Sequence, residues 1–94
     1  MAQMLLDERG LSKLKWRCRR GLLENDLFIE RFFARFGSEL TVTQGKSLSE
    51  LMELGDNDLL DLHLSRKPLA QVAPELDRPE VREVLEMLKS KENR

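Results

Sequence analysis

The sequence predicts a small all-α protein, a single-domain bundle of about five helices. Three observations predict it. Apolar residues recur at three- and four-residue spacing in one stretch after another, with no strand pattern between them. Tyrosine is absent and β-branched residues are few, which disfavours sheets. Glycines, prolines and cap-type residues then divide the chain into pieces of helical length with short links.

The 94 residues make one domain, with 1–10 and 91–94 expected to be flexible ends. Met4, Leu5 and Leu6 are apolar but continue no period, so 1–10 reads as a loose arm. Ser12 is the expected N-cap of a first helix over 12–19. Leu11, Leu14, Cys18 and Leu22 fall on one stripe of it. Trp16 lies off that stripe, on the side of Ser12, Arg19 and Arg20.

The second helix, over 22–36, is expected to be central. Leu22, Ile29, Phe32, Phe33 and Phe36 make a broad apolar face, and Leu23, Leu27 and Ala34 make a second stripe. A helix apolar on two sides is normally surrounded by others. All four phenylalanines lie in it, and truncating Phe32 to alanine should cost about 3–5 kcal/mol. Gly37 ends it.

Thr41 and Gln44 form a capping box that opens a third helix running to residue 54. Leu48, Leu51 and Met52 supply its stripe, Gly45 weakens its first turn, and Gly55 stops it. Asp56 is the expected cap of a short helix over 57–64, with Asp58 complementing its dipole. Pro68 and Pro74 bracket a loop. Asp77, Pro79 and Glu80 open the last helix, whose buried stripe is Val81, Val84, Leu85 and Leu88. Lys89 and Lys91 favour its C-terminal end.

Charge is unevenly placed. The net charge is only −1, yet 9–20 holds six bases and no acid, and 50–61 holds five acids and no base. Lys13, Lys15, Arg17 and Arg19, with one tryptophan, offer a nucleic-acid reading. The slightly acidic domain and the lack of a basic face on the other helices weigh against it. One cysteine excludes an internal disulfide framework and fits a reducing compartment. The N-terminus shows no signal-peptide pattern, and no apolar stretch approaches the roughly 18 residues of a membrane span. A soluble cytoplasmic protein is therefore expected. His63 has no second ligand nearby and reads as a packing or surface residue. Cys18 reads as a small buried hydrophobe. No phosphate loop is present, and Glu24 and Asp26 read as dipole complements rather than an acid–base pair.

The stretch from Trp16 to Asp26 stands apart. Arginines crowd its first half, carboxylates open its second, and Gly21 lies between them, where the backbone is expected to turn too sharply for a β-carbon. Glu24 lies four residues from Arg20, within reach of a pair across the turn. Arg31 and Arg35 are expected near the Glu24 edge. Asn25 and Asp26 lie toward the sector that carries Ile29, Phe32 and Phe33, where polar groups must be capped, solvated or met by a partner.

Trp16-Arg17-Cys18-Arg19-Arg20-Gly21-Leu22-Leu23-Glu24, followed by Asp26, resembles the succinate dehydrogenase FAD-assembly factors, whose signature is Arg-Gly-x-x-Glu. The Phe32-Phe33 pair and the run Asp56, Asp58, Leu59 extend the resemblance over roughly 12–90. Asn25 departs from it, standing where a leucine is usual, and the loop over 66–78 looks longer than usual. The resemblance implies a five-helix fold with the motif on its surface. It implies a non-enzymatic factor that binds the flavoprotein subunit of succinate dehydrogenase, with fumarate reductase as a second candidate client; a monomer is expected because nothing in the sequence demands a dimer. Such a factor promotes covalent attachment of FAD to a histidine of the client and holds no cofactor itself. The expected partner-binding residues are Trp16, Arg19, Arg20, Gly21, Glu24 and Asp26, with neither nucleic acid nor membrane as partner. The alternative is a nucleic-acid-binding or regulatory module that uses the basic first helix.

Overall fold

The computed structural model describes residues 4–19 and 21–89. Among these the chain is all-α. Five helices have eight or more residues: α1 (Glu8–Arg17), α2 (Leu23–Phe36), α3 (Val42–Leu51), α4 (Asp56–His63) and α6 (Pro79–Lys89). A single-turn helix, α5 (Leu69–Val72), and 3₁₀ turns at Gly37–Glu39 and Pro74–Leu76 complete the list.

α1 begins four residues earlier than the sequence suggests. Asp7, not Ser12, is its N-cap: the carboxylate accepts from the Gly10 amide at 2.7 Å, and Glu8 faces the dipole from the first turn. The cap outweighs the helix-weakening Gly10. Leu5 and Leu6 are also more than a loose arm. The Leu6 amide donates to the Leu40 carbonyl at 2.9 Å, Leu5 bridges Thr41, and the Leu6 side chain packs on the core.

The capping box of α3 is present as expected. Thr41 Oγ1 accepts from the Gln44 amide and Gln44 Oε1 from the Thr41 amide, both at 3.0 Å. Gly45 is buried in this helix, and a β-carbon there would come within 3.0 Å of Leu6 Cδ1. Close approach of the Leu6 segment therefore explains a glycine that looked merely unfavourable. α3 ends at Leu51 rather than 54, the chain turning through amide bonds to Leu48, Glu50 and Leu51. Gly55 is the N-cap of α4, and Asp56 falls inside its first turn beside Asp58. The loop expected between the prolines holds α5, whose Leu69 is buried.

α6 is packed on by α2, α3 and α4, while α1 lies against α3. The predicted α6 stripe, Val81, Val84, Leu85 and Leu88, is buried throughout. Each such side chain contributes about 1.5–3 kcal/mol by leaving water. Phe32, Leu40, Leu48, Leu51, Leu59 and Leu62 complete the centre, with Cys18 enclosed as a small apolar group. The second stripe of α2 is different. Leu23 and Leu27 are 66% and 49% exposed and Ala34 is exposed too, so α2 is covered on one side only.

Candidate docking surface

The last turn of α1 tightens before the chain leaves it. The Cys18 amide reaches Leu14 at 3.0 Å and Lys15 at 3.2 Å, and the Arg19 amide reaches Trp16 at 3.3 Å. Cys18 anchors this end in the core, and Trp16, off the stripe, is 75% exposed. The Arg19 guanidinium lies 5.7 Å from the Trp16 ring centre, a cation–π arrangement that leaves both groups at the surface. Arg20, expected to carry the signature, lies outside the described residues.

α2 opens with Leu22 as N-cap in an extended conformation, its carbonyl accepting from the Asp26 amide at 3.1 Å. Glu24 and Asp26 occupy the first turn and complement the dipole, as read from the sequence. Glu24 is exposed, and Asp26 is half-buried. Gly21 is exposed too, but its φ does not lie in the left-handed region. The expectation that backbone strain demands glycine there is therefore corrected. A β-carbon at Gly21 would meet Asp56 Oδ2 at 3.9 Å, an ordinary contact. What glycine supplies is a bare surface.

Asn25 explains how a polar residue survives among phenylalanines. It is fully buried, and its amide nitrogen donates to the Asp56 carbonyl at 2.9 Å and to Asp56 Oδ1 at 3.3 Å. Its Oδ1 lies 3.0 Å from His63 Nδ1. The His63 ring stacks on Phe28 with centres 4.5 Å apart. His63 is thus a packing residue, as expected, but a buried one. This Asp56–Asn25–His63 connection lies directly behind the Gly21–Glu24 turn and was not foreseen.

Between α1 and α2 runs a cleft of about 430 Å³. Lys15 and Arg19 line it from the first helix and its end, Asp26 and Glu30 from the second, around Ile29 and Phe33. The guanidinium groups of Arg31 and Arg35 lie 4.9 Å and 5.1 Å from the rings of Phe28 and Phe36. The basic run of α1 is split in two. Lys15 and Arg19 face the α2 carboxylates, while Lys13 and Arg17 face α3 and join Lys46, which the sequence reading left out. The i, i+4 spacing of Lys13 and Arg17 was the available signal for that second face.

Among the described residues no three His, Cys, Asp or Glu side chains gather as metal ligands, and no helix is long and apolar enough to cross a membrane. The fold and surface define a small helical module that displays an aromatic and charges of both signs around a bare turn. The model of a family described as flavinator of succinate dehydrogenase matches residues 12–92, and the chain belongs to that family. It is 49% identical over 86 residues to the FAD assembly factor SdhE of Ralstonia nicotianae, covering 89% of this chain and 85% of that one. The FAD assembly factors SdhE of Legionella pneumophila (strain Lens) and Coxiella burnetii are 41% and 37% identical over 54 and 49 residues. Those matches cover 57% and 52% of this chain, and 68% and 60% of theirs. No solved structure matches the chain.

Proposed function

We propose that this protein is an assembly factor that binds the flavoprotein subunit of succinate dehydrogenase and promotes its covalent flavinylation. The observation that carries the reading is the 49% identity, over 89% of the chain, to a protein named FAD assembly factor. The surface supports it: Trp16, Arg19, Gly21 and Glu24 are all exposed along one turn, and Asp26 lines the adjoining cleft. A rigid aromatic with charged neighbours suits docking on a polar protein surface. Arg20 and Glu24 make charge-assisted contacts with the client, and Gly21 lets it approach closely.

The protein acts as a chaperone rather than a catalyst. FAD is held by the client and bonded to one of the client's own histidines, so buried His63 takes no part. Holding flavin and histidine in attack geometry contributes several kcal/mol, about 7–11 in favourable intramolecular cases, with no catalytic group on the helper. The factor works as a cytoplasmic monomer, with fumarate reductase as a second client.

The test is a reconstitution. The apo flavoprotein subunit is incubated with FAD, with and without this protein, then denatured and separated on a gel. Flavin fluorescence on the subunit band should rise with the wild type. No rise, under conditions where an SdhE protein works on its own client, overturns the reading.

A further inference from the structure

A second contact surface lies between α1 and α3. Lys13 and Arg17 of α1 and Lys46 of α3 rim a groove of about 380 Å³, with Leu6, Leu14 and Val42 along it. No carboxylate lines it. Two of its lining residues, Gly10 and Gly45, add no side chain to it, and a β-carbon at Gly45 would meet Leu6 Cδ1 at 3.0 Å and Leu14 Cδ2 of α1 at 3.5 Å.

The groove gathers three cations and no carboxylate. Arg66 and Lys67 pair with Asp61, Arg78 with Glu50 and Glu80, Arg82 with Asp77, and Lys89 with Glu86. Lys15, Arg19, Arg31 and Arg35 lie over aromatic rings. Among the described residues, Lys13, Arg17 and Lys46 take part in no ion pair; Arg9 takes part in none either, but it lies in another recess beside Glu8. Three exposed cations beside half-exposed Val42 form a site that lacks its anions.

We propose that this groove docks an acidic segment of the client flavoprotein, with carboxylates on Lys13, Arg17 and Lys46 and an apolar side chain against Leu6 and Val42. The proposal rests on the assembly-factor reading and adds a second, electrostatic contact to the Trp16–Glu24 turn. A protein segment fits better than nucleic acid. A nucleic-acid strand draws its affinity chiefly from a row of phosphate contacts, to which the aliphatic strip of this groove adds nothing. In the recess on the far side of Lys46, Arg78 is already paired with Glu50 and Glu80, so the cationic strip does not continue there for a polyanion to follow.

Binding of the full chain to the apo flavoprotein subunit, measured by titration calorimetry at low and physiological salt, tests it. The double variant Lys13→Glu/Lys46→Glu should bind about tenfold more weakly at low salt and lose most of the salt dependence. The control Arg66→Glu/Lys67→Glu changes net charge equally on another part of the surface and should bind within about twofold of wild type. Val42→Ser should weaken binding about threefold, by removing apolar contact. Equal weakening by both charge variants shows a general field effect and overturns the groove, as does wild-type affinity in Lys13→Glu/Lys46→Glu. Binding of a fluorescein-labelled oligonucleotide that depends on Lys13 and Lys46 overturns the choice of a protein segment. Absence of wild-type binding overturns the assembly-factor reading itself, a result distinct from a client that binds while ignoring the groove.

Discussion

His63 Nδ1 lies 3.0 Å from Asn25 Oδ1, in a contact that spans 38 residues and is buried at both ends. The Asn25 amide nitrogen already donates to Asp56, so its oxygen faces the imidazole and Nδ1 is the donor. Removing either partner leaves the other buried without its hydrogen bond, at a cost of about 1–3 kcal/mol. Asn25→Leu and His63→Leu should each destabilise by about that much in urea denaturation. The double variant should lose less than the sum of the two, because an apolar pair replaces a polar one. Simple additivity would show that the two side chains are not energetically coupled.

Gly21 separates stability from function. Its φ is ordinary and its nearest prospective neighbour is Asp56 Oδ2 at 3.9 Å, so Gly21→Ala should leave helix content and unfolding midpoint nearly unchanged. Gly21→Arg should abolish flavinylation of the client with the same circular dichroism spectrum, since the added side chain occupies the exposed turn rather than the core. Glu24→Ala, also exposed, should behave alike. A Gly21→Arg protein that loses its helices would show that the glycine serves the fold instead.

Trp16 is the sole tryptophan and is 75% exposed, so its truncation costs the fold little, within about 0.5 kcal/mol. An exposed tryptophan in a docking surface can contribute about 2 kcal/mol or more, roughly thirtyfold in Kd. Trp16→Ala should therefore weaken client binding by that order. In the wild type, Trp16 fluorescence should shift to the blue as the client covers it. An unshifted spectrum in the complex would place Trp16 outside the interface.

Local features were legible in the sequence and distant ones were not. Thr41 and Gln44 lie three residues apart and cap each other, so the start of α3 could be read directly. The α6 stripe follows from periodicity alone. Periodicity misled at Leu23 and Leu27, because it locates apolar residues around a helix without saying whether a neighbour covers them. Asn25 and His63 carried no joint signal, since nothing local marks a contact between α2 and α4. Gly21 stands out in the sequence, but its backbone conformation does not: its φ is one that any residue adopts, and a β-carbon there would make an ordinary contact.

The end of α4 offers a stabilising change. Ser65 has φ 59° and is the one non-glycine residue with positive φ among those described. Its amide donates to the Leu62 carbonyl at 3.1 Å and the Arg66 amide to the Asp61 carbonyl at 2.8 Å. Together these bonds make a Schellman motif, in which the left-handed residue is usually glycine. A side chain in that conformation costs about 1–2 kcal/mol, while glycine loses about 0.5–1 kcal/mol through unfolded-state entropy. The strain term is the larger, so Ser65→Gly should stabilise by about 0.5–1 kcal/mol and raise Tm by a few degrees. Ser65 belongs to neither the docking turn nor the α1–α3 groove, so client flavinylation should not change. A lower Tm for Ser65→Gly would mean that the serine side chain gives α4 more than the strain removes.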